Sequence, residues 1–270
     1  MLNIRKLKKL IKFPSRILYQ LNMIQEALGR IEGRQVVNSS AGEIQETEFR
    51  VFSQWGEDGI IQFLINKIPI KNKFFVEFGV EDYLQSNTRF LLINNNWSGL
   101  VLDGNEKNIE YIKNDSIYWA YNLKADCAFI TKDNINTLLK KNGVNGDIGI
   151  LSVDIDGNDY WIWQEISCIS PRIVICEYNS IFGPYAQVTT EYQDDFVRDK
   201  MHHSNILYGS SIAALKKLAD EKGYKLVAGN RAGNNVFFVR DDLVDNIKTL
   251  TIEEAYNQAQ FREYKDESGK

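Results

Sequence analysis

Four times between residues 74 and 179 a short apolar run breaks off into acidic or amide residues. Phe74-Phe75-Val76-Glu77-Phe78 ends at Gly79, and Gly99-Leu100-Val101-Leu102 ends at Asp103-Gly104. Ile148-Gly149-Ile150-Leu151-Ser152-Val153 ends at Asp154, and Ile173-Val174-Ile175-Cys176 ends at Glu177-Tyr178-Asn179. Short continuous runs rich in Val and Ile are the signature of strands covered on both faces. Between them the polar and apolar residues mix at helical spacing, which predicts helices at 87–94, 105–114, 134–140 and 159–166. A strand-like stretch at 118–123 leads towards Asp126. Ser210-Ser211 caps one more helix, ending at Gly223. Segments 225–227 and 235–239 then read as an antiparallel pair around the turn 229–234. The predicted fold class is α/β: a mostly parallel sheet with an antiparallel hairpin at its C-terminal end.

The N-terminal pattern is different. Ile17, Leu21, Ile24, Leu28 and Ile31 alternate at steps of four and three, the spacing of a helix-packing seam. Pro14 is expected to open that helix, since proline fits a first turn. Upstream, Arg5, Lys6, Lys8, Lys9, Lys12 and Arg16 flank Leu7, Leu10, Ile11 and Phe13. Residues 1–34 carry eight Lys/Arg and two Glu, a charge of +6, whereas the remainder carries −10. The favoured reading is a dimerisation arm with a solvated charged face, which makes the protein a homo-oligomer. The other is a basic amphipathic helix in peripheral contact with an anionic membrane. Nucleic acid is excluded as a partner, because the body is acidic and no binding motif accompanies the basic stretch. The predicted organisation is an arm at 1–34, a polar linker and lead-in helix at 35–70, a core at 71–242, and a helical charged tail at 243–270.

Composition narrows the setting. The three cysteines, Cys127, Cys168 and Cys176, form no C-x-x-C pair, which suits a reducing compartment and argues against a zinc or disulfide framework. No apolar run reaches membrane-spanning length, and the basic N-terminus lacks a signal-peptide pattern. The expected location is the cytoplasm, or the inner face of the membrane if the arm docks there.

In open α/β sheets, ligands bind outside the carboxyl ends of the parallel strands, so the acids there carry the chemistry. Gly79 allows the first turn to approach a ligand closely. Asp103, one βα unit later, is placed to accept hydrogen bonds from two ribose hydroxyls, of a nicotinamide dinucleotide or of S-adenosylmethionine. A dinucleotide fingerprint needs three glycines around a pyrophosphate. Here the turn reads Gly79-Val80-Glu81-Asp82, whose carboxylates repel a pyrophosphate and tolerate a cationic sulfonium.

Taken in order, Ser53-Gln54-x-Gly56-Glu57-Asp58, Val76-Glu77-Phe78-Gly79, Ser86-Asn87-Thr88, Leu102-Asp103-Gly104 and Asp154-Ile155-Asp156-Gly157-Asn158-Asp159 resemble the FkbM-like methyltransferases, and within them the surface-polysaccharide branch. The resemblance spans roughly residues 52–240. The turn after Gly79 departs from it, because many members carry a second glycine there. The resemblance implies a Rossmann-like class I methyltransferase fold with seven strands, and an S-adenosylmethionine-dependent O-methyltransferase. Its acceptor would be a sugar, a nucleotide-sugar or another capsule or O-antigen building block. It further implies that Glu77 and Gly79 line the methionine end of the cofactor, Asp103 the ribose and Asp126 the adenine, with Asp154 beside the sulfonium. Gln54 and Asp58 would close over it, and Ser86, Asn87 and Gly104 of the matching motifs join the cofactor set.

A hydroxyl acceptor needs a base or a metal, because its pKa lies far above neutral. Asp154, Asp156, Glu177 and Asn179 offer hard oxygen ligands of the kind Mg2+ or Mn2+ prefers. Asp156 alternatively serves as general base, as does either of the two histidines, His202 and His203. Tyr178, Tyr185 and Tyr192 offer aromatic faces to a sugar. The competing functions are a nicotinamide-dependent sugar oxidoreductase and a catalytically inactive methyltransferase-like scaffold.

Overall fold

The computed structural model describes residues 4–38, 44–259 and 265–266, with side chains from Arg16 onward. Seven strands form one sheet: β1 (Phe74–Phe78), β2 (Ser98–Asp103), β3 (Leu123–Cys127), β4 (Gly146–Val153), β5 (Ile169–Glu177), β6 (Tyr224–Gly229) and β7 (Asn235–Arg240). Their order is β3-β2-β1-β4-β5-β7-β6, with β7 alone antiparallel to its neighbours β5 and β6. The helices are α1 (Ile4–Asn38), α2 (Glu57–Lys67), α3 (Arg89–Asn95), α4 (Glu106–Asn114), α5 (Ser116–Ala120), α6 (Ile135–Lys141), α7 (Asp159–Glu165), α8 (Arg198–Met201), α9 (Ile212–Lys222) and α10 (Ile252–Ala255). This is the Rossmann-like, seven-stranded class I methyltransferase architecture that the motifs imply.

Both faces of the sheet are covered, which is why its strands read as unbroken apolar runs. Val76, Phe78, Leu100, Leu102, Leu151 and Val153 point to one side and pack with Ile135, Ile162, Trp163 and Leu215 of α6, α7 and α9. Phe75, Val101, Ile150, Ile173 and Phe237 point to the other, against Ile61 and Leu64 of α2, Leu91 of α3 and Ile112 of α4. Each such side chain, fully buried, contributes about 1.5–3 kcal/mol. Register places the strand ends side by side. Phe78 pairs with Leu102 on one flank and Val153 on the other, and Val153 pairs with Cys176. Gly79, Asp103, Asp154 and Glu177 therefore line one edge, across the point between β1 and β4 where the strand order reverses.

Four local expectations change. Residues 116–120 are helical, because Asp115 accepts the Ile117 N–H and starts α5; the strand is Leu123–Cys127, so Asp126 lies within it. The arm helix begins before Pro14 and ends at Asn38. The Lys- and Leu-rich residues ahead of the proline are good helix formers, and an interior proline removes only one backbone bond. The segment expected as linker is thereby shortened, and Ile44 and Thr47 within it are buried in a single 3-10 turn. The tail is helical only over Ile252–Ala255 among the described residues. Beyond it, Ala259 N–H donates to Ser180 Oγ at 3.0 Å, and the Tyr178 hydroxyl donates to Asn257 O at 2.7 Å. Those bonds to the body replace further helical turns.

Candidate active site

The C-terminal ends of β1, β2 and β4 open on a cavity of about 160 Å³ walled by Gly79, Asp103, Gly104, Asp154, Asp156 and Phe196. Gly79 has φ +68°, and a Cβ on it would stand 1.7 Å from the Asp154 carbonyl oxygen. Only glycine lets the β1 turn meet the end of β4 this closely. Asp103 spans the next turn. Its Oδ2 accepts the Glu81 N–H at 2.8 Å, while Oδ1 accepts from Asn105 N at 2.8 Å and Asn108 Nδ2 at 3.1 Å. Oδ2 thus keeps a free lone pair at the cavity wall.

Glu77 is buried one residue inside β1. Oε1 accepts the Asn87 N–H at 2.8 Å, and Oε2 accepts from Thr88 N at 3.2 Å and from the Thr88 hydroxyl. Burial pushes its carboxyl up to about 7 against those bonds. It caps the start of α3 and does not line the cavity. Ser86 and Asn87 serve the same junction: Ser86 Oγ accepts the Arg89 N–H, and Asn87 Nδ2 donates to Ser152 Oγ of β4 at 3.1 Å. Asp58 is likewise spent inside the fold. Its Oδ2 accepts the N–H groups of Val51, Phe52 and Ser53 at 2.7–2.8 Å, and burial lifts it to about 6. Gln54 is exposed, and neither it nor Asp58 lines the cavity.

Asp126 turns away from the place expected for adenine. It accepts from Asn142 Nδ2 at 3.0 Å and pairs with Lys141 at 3.3 Å, at the end of α6. The loop after β3, Ala128-Phe129-Ile130, lines the cavity instead.

At the ends of β4 and β5, Asp154, Asp159 and Glu177 each bring an oxygen to within 4.8 Å of the others. Asp159 opens α7 and accepts the N–H groups of Ile155 (2.8 Å) and Gly157 (2.9 Å). Glu177 is buried, and its Oε2 has no hydrogen-bond partner. Burial first, then the neighbouring carboxylates, hold Asp154 and Glu177 well above the usual carboxyl range; Asp159 rises to about 6, chiefly by burial. Buried Glu57, held by Asn230 and Asn235 at 2.7 and 3.0 Å, adds to the negative surroundings of Asp154.

Two residues expected in this cluster stand outside it. Asp156, at φ +58°, swings its exposed carboxylate to Arg198 at 2.8 Å. The Asn179 amide donates to Ile206 O and Tyr208 O, while its oxygen accepts the Ile181 N–H, so its side chain is used up in the loop after β5. The histidines are elsewhere too. His202 and His203 stack with ring centroids 4.0 Å apart, both exposed, and neither lines the cavity. Tyr178 is buried, Tyr185 is exposed, and Tyr192 lies under Lys132 with its hydroxyl donating to Asp194. Residues not singled out from sequence are Asp159, Arg198 and Phe196. Asp159 alone left a signal, as the acid that begins a predicted helix.

No protein-family model matches the chain, and no curated protein matches it. Solved structures do. The N-terminal domain of EvdMO1 with SAH bound is 12% identical over 78% of this chain and 95% of its own, at a TM-score of 0.46. An S-adenosylmethionine-dependent methyltransferase from Clostridium acetobutylicum is 10% identical over 62% of this chain and 83% of its own, at 0.39. An O-methyltransferase from Bacillus cereus in complex with SAH is 11% identical over 62% and 74%, at 0.37. These likenesses are too distant to assign chemistry, which has to come from the residues of this chain. Among the described residues no helix is long and apolar enough to cross a membrane.

Proposed function

We propose that the protein is an S-adenosylmethionine-dependent O-methyltransferase acting on a sugar, a nucleotide-sugar or another surface-polysaccharide building block. The observation that carries the reading is the character of the cavity. A glycine turn and a ribose-competent Asp103 share the cavity wall with further acids, Glu81 and Asp156 among them. That wall repels a pyrophosphate and favours a sulfonium and an ammonium group, which weighs against a nicotinamide cofactor. When bound, S-adenosylmethionine supplies an electrophilic methyl group. Gly79 lets the β1 turn approach it, and the free lone pair of Asp103 Oδ2 takes a ribose hydroxyl. The sugar acceptor follows from the FkbM-like motifs.

The chain must also take the acceptor's proton. Glu177 Oε2, buried beside Asp154 and without a hydrogen-bond partner, is placed to receive it, and burial raises its affinity for a proton. The Asp154, Asp159 and Glu177 trio also fits a divalent cation: three hard oxygen donors, an orphaned buried oxygen and mutual repulsion that a cation relieves. Mg2+ or Mn2+ there would lower the pKa of the acceptor hydroxyl. Phe196 closes the cavity, whose volume is below the about 300 Å³ at which small-molecule sites begin, so its segment must withdraw to admit a nucleoside.

Calorimetric titration with S-adenosylhomocysteine tests the cofactor. Micromolar binding is expected, weakened at least tenfold in Asp103→Ala. Binding of NADH without response to S-adenosylhomocysteine would overturn the reading in favour of a sugar oxidoreductase. Incubation with S-adenosylmethionine, nucleotide-sugars and Mg2+ should give product heavier by one methyl group. Loss of turnover in chelator and its recovery with Mg2+ or Mn2+ would assign the trio to a metal; full turnover in chelator would leave Glu177 as base.

A further inference from the structure

The arm helix has two faces. Gly29, Gly33 and Val36 are buried against the body; a Cβ on Gly29 would come within 2.5 Å of Val51 Cγ2, and Gln25 Nε2 donates to the Val51 carbonyl. Rotated by roughly 130° about the helix axis, at 100° per residue, lie Ile17, Leu21, Ile24, Leu28 and Ile31. These five are 43–57% exposed. A stripe of large aliphatic side chains at heptad spacing, turned away from the fold it belongs to, leaves apolar surface in water that a partner helix of the same spacing would remove.

We propose that this seam is an interface between two copies of the chain, formed by antiparallel pairing of their α1 helices. Pairing the seam residues, with exposed Leu18 at the margin, buries on the order of 1,000 Å², the lower limit for a specific interface. Charge sets the direction. Residues 5–16 carry six Lys/Arg and no acid, while 26–34 balance Glu26 and Glu32 against Arg30 and Arg34 and carry no net charge. Parallel helices would lay two basic blocks side by side. Antiparallel helices separate them along a helix about 50 Å long, many Debye lengths at physiological salt, and set each beside a segment of the partner with no net charge. Leu at one seam position and Ile at the other disfavours a parallel dimer and, in free helices, favours wider bundles. With the glycine face docked on the body, each helix has room for one partner. A membrane is the weaker occupant, because the seam between 17 and 31 is bordered by Gln20, Gln25, Ala27 and Glu32, where a membrane-surface helix would carry Lys or Arg.

Sedimentation of the full chain from 1 to 100 µM should give about twice the 31.1 kDa chain mass, and Ile24→Asp should reduce it to one copy with unchanged melting temperature. Orientation is read by oxidation with Cys127 and Cys168 replaced by serine. A mixture of Ile17→Cys chains and Leu28→Cys chains should cross-link between the two, whereas Ile17→Cys alone should not. Self-linking of Ile17→Cys would mean parallel pairing, and a mass of four copies a wider bundle; either overturns the proposal. So would a chain monomeric at 100 µM, and flotation of that monomer with phosphatidylserine vesicles, lost in Ile24→Asp, would give the seam to a membrane.

Discussion

The two sides of the strand-end cleft are built from the same residue types and treat them in opposite ways. On the β1–β2 side, Glu77 and Asp103 each accept three hydrogen bonds from neighbouring turns. On the β4–β5 side, Glu177 Oε2 has no partner, and Asp154 and Asp159 crowd it. Hydrogen bonds from backbone N–H groups make a buried carboxylate part of the scaffold. Carboxylates left to face one another store unfavourable energy that a cation, a proton or a substrate can release. An acid at a strand end is therefore structural or chemical according to what surrounds it, and residue type alone does not say which.

The largest expected effect is on pH dependence. Glu77 is raised to about 7 and Asp58 and Asp159 to about 6, and Asp154 and Glu177 are displaced upward as well, all chiefly by burial. The folded chain holds protons on these groups where the unfolded chain has released them. The stability these groups contribute is therefore fully present below about pH 4 and is lost as pH rises through 6 and 7. At about 1.4 kcal/mol for each pH unit a group is displaced, the total is several kcal/mol. Chemical denaturation in chelator at pH 5 and pH 8 checks the sign. Glu177→Gln should flatten the fall; a curve that rises with pH would mean the crowded side is already neutralised.

Gly79→Ala strikes where the two sides meet. The positive φ costs about 1–2 kcal/mol for a non-glycine residue, and the Cβ overlaps the Asp154 carbonyl oxygen, so the β1 turn must move. A loss of at least about 3 kcal/mol is expected, with cofactor binding lost in whatever remains folded. Next in size is a matched pair. Glu77→Ala strands the Asn87 and Thr88 N–H groups at the start of α3 and should cost about 2–4 kcal/mol. Glu177→Gln should leave stability unchanged or raise it by about 1 kcal/mol while lowering methyl transfer at least a hundredfold. Equal destabilisation by both would erase the distinction between the sides.

Much of this was legible in the chain. The strand runs, the acids closing them and the glycine turn announced the sheet and the edge that carries the cavity, because burial on both faces imposes a one-dimensional pattern. What local sequence hides is how loops fold back. Asp156 stands two residues from Asp154, yet a left-handed backbone turns it outward to Arg198, a residue 42 positions away. Asn179 is drawn off by carbonyls at 206 and 208, and the 183–209 segment brings Phe196, not its histidines, to the cavity. Asp58 and Glu77 match motif positions expected to touch a cofactor, but Asp58 Oδ2 and both Glu77 oxygens are taken by N–H groups whose positions only the folded turns define.

The smallest effect tests the residue whose role the structure changes most. Asp156 was expected as base or metal ligand, but its carboxylate is exposed and committed to Arg198, which also lies over the Tyr208 ring at 3.6 Å. Ion pairs with one exposed partner contribute little, typically under 1 kcal/mol. Asp156→Asn should therefore change stability by no more than about 0.5 kcal/mol. It loosens the segment carrying Phe196 over the cavity, so its effect should fall on KM more than on kcat, with kcat reduced less than tenfold. Glu177→Gln should show the reverse, with kcat falling and S-adenosylhomocysteine affinity nearly intact. If Asp156→Asn instead lowers kcat a hundredfold at unchanged KM, its carboxylate turns inward during turnover, and the proton acceptor is Asp156 rather than Glu177.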